Sequence, residues 1–303
     1  MPDTDLILVS GATGNTGSGV ASSLLAQGWP VRALVRDEAK AAGLRAQGAQ
    51  VAVADLDRPE TLTGDLLDGV TGVYFLTWNG PTALQQSRNL LQAIKRSGTA
   101  PHIVRLSGYA TPKSRIISEL TKCEDGLKAS GLPWTILKPP WFMQNVMMAA
   151  PTIRDHGCIY FDWGNGKAGI IDTRDVVDCA VGALTGPTQA TAGQTFVLTG
   201  PASIGLADVA ATLSGVTGHT VQYVPVPHQA ALEAMIAMGV PQWIAEGYCE
   251  IHAGLEDGFA DLTTTNVHAL SGHEPRSFEQ FARDFAGVFA PAPAVAASAS
   301  PTS

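Results

Sequence analysis

The chain has 303 residues, 45% hydrophobic and 15% charged, enough to bury a large core in one domain or one with a smaller companion. Its net charge is −8, with no cluster of Lys or Arg, which argues against nucleic acid or an anionic membrane as its partner. No apolar run approaches the roughly 20 residues of a membrane span. The acidic start Met1-Pro2-Asp3-Thr4-Asp5 leads straight into apolar sequence, so no secretory signal is expected. Cys123, Cys158, Cys179 and Cys249 show neither CxxC nor metal-ligand spacing and read as reduced thiols in a cytoplasmic protein. The histidines form no metal spacing either, and no metal is expected.

In chain order, Leu6-Ile7-Leu8-Val9 reads as a buried strand, and an apolar pattern of helical period runs on to Leu25. Between them lies Ser10-Gly11-Ala12-Thr13-Gly14-Asn15-Thr16-Gly17. Strand, glycine turn and helix in that order are the context a dinucleotide fingerprint requires. Gly11 allows the sharp turn, Gly14 the approach of a pyrophosphate, and Gly17 the close packing of helix on strand. Unpaired N–H groups at the helix start, aided by its dipole, can then hold phosphate.

Further strands are expected at 30–35, 50–53, 71–76, 102–106 and 134–137. Helices are expected between them at 38–45, from Pro59, at 81–96 closed by Gly98, and at 118–129. This alternation predicts an α/β fold, a doubly wound parallel (Rossmann) sheet with ligands at the carboxyl ends of its strands. Beyond Pro139-Pro140 the pattern becomes irregular. A capped helix at 176–184, strands at 195–198 and 220–224, and helices at 206–213, 230–238 and 241–255 suggest a smaller α/β lobe over those carboxyl ends. Phe278, Phe281, Phe285 and Phe289 recur at helical spacing and predict one terminal helix over 276–289. The expected organisation is therefore a dinucleotide-binding domain over 1–140 and an interleaved substrate lobe over 141–289. The Ala/Pro/Ser tail, 290–303, cannot bury enough to order itself.

Several segments together resemble the atypical short-chain dehydrogenase/reductases of the NmrA-like group. They are the glycine turn, Val35-Arg36, Ala54-Asp55-Leu56, Leu106-Ser107-Gly108, the run from Ser130 to Pro140, and Trp141-Phe142-Met143-Gln144-Asn145. Within the group the chain is most similar to quinone, azo-dye and triphenylmethane reductases and to ergot-alkaloid imine reductases. The resemblance implies NADP(H) held by Gly11, Thr13, Gly14, Asn15, Thr16, Gly17, Arg36, Asp55, Leu56, Thr77, Ser107 and Lys138. Arg36 can grip the 2′-phosphate that distinguishes NADPH, whereas the neighbouring Asp37 in its place would favour NAD. Asp55 reads equally as an adenine contact or as a cap for the following helix.

Ordinary short-chain dehydrogenases protonate their substrate with a tyrosine and a lysine four residues apart on one helix. Tyr109-Ala110-Thr111-Pro112-Lys113 matches that spacing, but Pro112 disfavours helix at Thr111. The positions at which the resemblance would place the pair hold Ile116 and Leu120. Tyr109 remains the candidate proton-supplying or hydrogen-bonding group. Trp78, Tyr109, Trp141, Phe142 and Asn145 are candidate substrate contacts, with Met143, Met147, Met148, Tyr160 and Trp163 as further apolar candidates; such linings suit flat, polarisable molecules. The implied function is an NADPH-dependent reductase of flat, electron-poor small molecules working without that pair, as a monomer or homodimer. The alternative is a non-catalytic NADP(H)-binding redox sensor that signals to a protein partner.

Overall fold

The computed structural model describes residues 5–291, so the tail expected to be disordered falls, from residue 292 onward, outside the described residues. The strands in chain order are β1 (Leu6–Val9), β2 (Val31–Val35), β3 (Gln50–Val53), β4 (Val70–Phe75), β5 (His102–Leu106), β6 (Trp134–Lys138), β7 (Cys158–Phe161), β8 (Lys167–Ala168), β9 (Gln194–Val197), β10 (Ile204–Gly205) and β11 (Gln222–Pro225). Seven of them form one parallel sheet in the order β3-β2-β1-β4-β5-β6-β9. This is a Rossmann-like sheet, and chain order reverses between β1 and β4.

All four residues of β1 are buried, as expected of a parallel strand covered on both faces. Ile7 and Val9 point into a core with Val20, Ala21 and Leu24 of helix Asn15–Ala26 and with Val176, Val177 and Ala180 of helix Thr173–Thr185. Leu6 and Leu8 face the opposite core, shared with Leu90 and Ile94 of helix Ala83–Ser97 and Leu127 of helix Arg115–Lys128. A third cluster lies in the smaller lobe, around Trp141, Met143, Ile153, Trp163, Leu213, Leu255 and Phe281.

The strand expected at 195–198 belongs to the main sheet: as β9 it pairs with β6 and forms the seventh strand. The smaller lobe contributes two separate pairs, β7 parallel to β11 and β8 antiparallel to β10. At 59–67 the chain forms two 3₁₀ turns, Pro59–Thr61 and Gly64–Leu67, where an opening helix is predicted. The Thr61 hydroxyl explains this, because it donates to the Arg58 carbonyl at 2.7 Å and accepts the Asp55 N–H at 2.9 Å, competing with helical bonds. The terminal helix is two helices, Phe278–Asp284 and Ala286–Phe289, broken at Phe285 (φ −113°, ψ 20°). Phe278, Phe281 and Phe289 are buried as expected, while Phe285 carries the Arg174 guanidinium 5.3 Å over its ring.

Asp172 fastens the lobe to the sheet. Its carboxylate caps helix Thr173–Thr185 through the Arg174 N–H at 2.9 Å, receives Gln144 at 2.8 Å, and pairs with the Arg174 guanidinium at 2.6 Å. Burial alone would raise its pKa, but these donors outweigh burial and hold it below the ordinary carboxylate value. We expect Asp172→Asn to cost about 2 kcal/mol near neutral pH, because Arg174 is partly exposed and a neutral cap survives. A lowered folded pKa makes that contribution complete above the unfolded value of about 3.9 and lost as pH falls through the folded one. Urea unfolding of both proteins at pH 7 and at pH 3 measures it, and a gap that widens on acidification contradicts the assignment.

Candidate functional site

The turn after β1 is shaped by two glycines that have no freedom to be anything else. Gly11 sits at φ +61°, in the left-handed region, and a Cβ there would press into Leu76. A Cβ on Gly17 would lie 2.6 Å from the Gly11 carbonyl carbon and closer still to its oxygen, so helix Asn15–Ala26 is seated directly on the end of β1. Gly14 is the helix N-cap and supplies no side-chain cap. The N–H groups of Asn15, Thr16 and Gly17 therefore find no acceptor among the described residues. Thr13, Gly14 and Asn15 are exposed, while Thr16 and Gly17 are buried beneath them. Unpaired donors at the positive end of a helix dipole can hold an anion.

Along the sheet's carboxyl edge, Arg36 follows β2, is exposed, and makes no ion pair among the described residues. Its neighbour Asp37 is committed elsewhere: its carboxylate accepts the Ala39 N–H at 3.0 Å and caps the short helix Glu38–Ala41. After β3, the Asp55 carboxylate accepts the Asp57 N–H at 3.0 Å, and the Leu56 carbonyl receives Asn89 at 2.7 Å. Ser10 joins β1 to β4 by accepting the Leu76 N–H at 3.0 Å.

Beyond β4 and β5 the site rests on buried charge. Arg105, 0% exposed, donates to the Thr77 hydroxyl at 3.2 Å and lies 4.9 Å from the Phe75 ring centre. Its Nε and Nη1 make no hydrogen bond among the described residues. Burial pushes this guanidinium below its usual pKa, and nearby Cys123 and Glu124 oppose the shift. Glu124, 3% exposed, accepts from the Ser107 hydroxyl at 2.6 Å and from Lys138 at 2.9 Å. Ser107 follows β5 and Lys138 ends β6, so Glu124 joins two expected site residues from below.

The lobe overhangs this edge. Trp78 is half exposed after β4, and Tyr109 lies in the loop after β5 with its ring 5.2 Å from that of Phe259. Tyr109 and Lys113 both precede helix Arg115–Lys128, and Ile116 and Leu120 on that helix are core residues. Trp141 is buried edge-on to Trp163 at 4.8 Å, and Phe142 and Asn145 are half-buried beside it. Trp163 and Met143 are wholly interior, unlike the pocket lining that composition suggested; Met148 and Tyr160 are exposed.

Helix Gln242–Glu256 closes over the loop. Arg115 pairs with Glu250 at 2.7 Å and also with Glu246, and Ser114 donates to the Gly247 carbonyl at 3.1 Å. The same helix brings Tyr248 next to Asn79 and onto His252, whose Nδ1 meets the buried Asp162 carboxylate at 2.6 Å.

Sequence reasoning missed Arg105, Glu124 and the Asp162–His252 couple. The first two left a signal, namely a charge inside an otherwise apolar strand and a charge on the apolar stripe running through Leu120 and Leu127. Asp162 and His252 are 90 residues apart and left none.

Residues 3–282 match the model of the NmrA-like family. The chain belongs to the NmrA-like family. Among curated relatives, it is 36% identical over 286 residues to the NAD(P)H azoreductase of Xenophilus azovorans, covering 94% of this chain and 99% of that protein. It is 32% identical over 295 residues to the (4-alkanoyl-5-oxo-2,5-dihydrofuran-3-yl)methyl phosphate reductase of Streptomyces griseus, covering 94% of this chain and all of that one. Among solved structures, the NADPH-dependent quinone oxidoreductase of Escherichia coli complexed with NADPH superposes with a TM-score of 0.83. That pair is 26% identical, with 92% of this chain and 99% of that chain covered.

The seat of the first helix gives this NmrA-like chain a sharp test. Gly17→Ala should destabilise the fold by roughly 3 kcal/mol, the upper range for overpacking, because backbone rather than a flexible side chain must move. Chemical denaturation measures it, and a variant as stable as wild type would mean that the helix is free to lift from the strand.

Proposed function

We propose that this protein is an NADPH-dependent reductase that transfers hydride to a flat, electron-poor small molecule of the quinone, dye or imine type. The broader statement, an NAD(P)H-dependent oxidoreductase, accords with the reductase relatives matched over nearly the whole chain. The observation that carries the NADPH reading is the edge from the glycine turn to Arg36: unpaired helix N–H groups at one end and an unengaged guanidinium at the other.

The chain's own residues supply binding and orientation. The first-turn N–H groups and Thr13 hold the pyrophosphate, and Gly14 leaves room for it. Arg36 meets the 2′-phosphate, since the carboxylate of Asp37 is turned away to its cap. Asp55 and Leu56 border the adenine end, and Thr77, Ser107 and Lys138 border the nicotinamide end. The bound dinucleotide supplies the hydride, which is the hard chemistry of such a reduction. Trp78, Tyr109, Phe142 and Asn145 present flat apolar surface with a few polar atoms, suited to stacking an aromatic acceptor, while Trp141, expected among them, is buried in the lobe core behind. With Ile116 and Leu120 in the core, no proton-donating pair is assigned to helix Arg115–Lys128. Tyr109 supplies a hydrogen bond from the loop, and water completes the protonation.

The test is the decay of NADPH fluorescence when quinones, azo dyes and cyclic imines are offered to the purified protein. Turnover of one class is expected. Tight NADPH binding with no turnover of any acceptor would favour the sensor instead.

Two variants sharpen the reading. Arg36→Ala should weaken NADPH binding by roughly 1.5–3 kcal/mol, the worth of a charge-assisted contact, and leave NADH almost untouched. Equal affinity of wild type for both nucleotides would sink the phosphate role. Lys113→Ala should leave kcat within about threefold of wild type, below the tenfold that 1.4 kcal/mol of barrier represents. A thousandfold loss in both Lys113→Ala and Tyr109→Phe, with nucleotide affinity unchanged, would restore a conventional donor pair.

A further inference from the structure

Glu124 lies on the buried stripe of helix Arg115–Lys128, yet its side chain reaches the carboxyl edge of the sheet. An isolated carboxylate there would be costly, and this one is met by Ser107 at 2.6 Å and by Lys138 at 2.9 Å to one oxygen and 3.1 Å to the other, with Lys128 farther off at 3.8 Å. A hydroxyl has one proton to give, and Ser107 gives it to Glu124. Its remaining lone pairs can therefore only accept from whatever lies above the strand ends. Lys138 Nζ lies 2.9 and 3.1 Å from the two Glu124 oxygens and makes no other hydrogen bond among the described residues, which leaves it N–H to donate above the strand ends.

We propose that Glu124 is a positioning residue: it sets the polarity of the nicotinamide end, an acceptor at Ser107 beside a directed donor at Lys138. The chemistry above should match, with an N–H such as a carboxamide's over Ser107 and a hydroxyl oxygen such as a ribose's at Lys138. This rests on the proposed binding of NADPH.

A purely structural counter-ion would affect folding alone. Glu124→Gln keeps the shape but removes the charge that holds Lys138 and puts an NH2 in place of one acceptor oxygen, so the ammonium loses one partner and its fixed direction. NADPH affinity, read from nucleotide fluorescence on the folded protein, should fall at least tenfold. Lys138→Met should do much the same, and Glu124→Gln/Lys138→Met should be no weaker than the worse single variant, because both remove one directed donor. A Glu124→Gln protein that binds NADPH as wild type does, or losses that simply add in the double variant, overturns the proposal. Wild-type protein that binds no NADPH overturns the reductase reading and this proposal with it.

If Glu124→Gln does not fold, the cycle of Ser107→Ala against Lys138→Met decides, since both residues hydrogen-bond to Glu124. Coupling of threefold or more in NADPH affinity is expected. Additivity within twofold overturns the proposal.

Discussion

The contact between Gly17 and the Gly11 carbonyl sets the position of the site. Only a hydrogen in place of a side chain lets helix Asn15–Ala26 start so close to β1, and that closeness aims its first N–H groups over the sheet edge. The opposite flank of the helix is fixed just as firmly, because a Cβ at Gly19 would meet Val177 at 2.7 Å on helix Thr173–Thr185. An element from beyond residue 140 thus buttresses the turn at the start of the chain. The division into a first domain and a later lobe is therefore one of composition along the chain; in space, helix Thr173–Thr185 and β9 complete the first layer.

Electrostatics divides this edge into two kinds of place. At the glycine turn and Arg36, the donors find no acceptor among the described residues. At Thr77, Ser107 and Lys138, the polar atoms are already tied to buried ions below them. Arg105 and Glu124 are expensive to bury, and hydrophobic residues could fill the same space at less cost. What the ions provide is direction: the hydroxyls of Thr77 and Ser107 point where Arg105 and Glu124 require. Preorganised dipoles of this kind matter most in a water-poor cleft, where they need not reorganise during reaction.

The parallel sheet was legible because its determinants are local. Short Val/Ile/Leu runs, glycine turns and intervening apolar periods recur at regular spacing, and each can be read without knowing what packs against it. The NmrA-like kinship was legible for the same reason, carried by contiguous segments at the strand ends. The smaller lobe was read less well. Cys158–Phe161 finds its partner 64 residues on in Gln222–Pro225, and Lys167–Ala168 is too short to show any period. The 3₁₀ turns at 59–67 depended on where one threonine hydroxyl points, which no propensity encodes. Among the site residues, those in the glycine turn announced themselves. Glu124 and Arg105 did so only as charges out of place in apolar patterns.

That last signal bears on the proposed reduction without a tyrosine and lysine on one helix. The helix that would carry the pair is here pinned twice: below, Ile116 and Leu120 enter the core, and at its start Arg115 is clasped by Glu246 and Glu250 of the overhanging helix. Its one polar contribution to the sheet edge is Glu124, an acceptor rather than a donor. Hydride acceptors that already carry positive charge, or whose reduced anions are stabilised by delocalisation, ask little of a protein acid. On the reading proposed above, buried charge would hold the cofactor end still beneath aromatic surface, an arrangement suited to such acceptors rather than to simple ketones, whose alkoxide would need a proton at once.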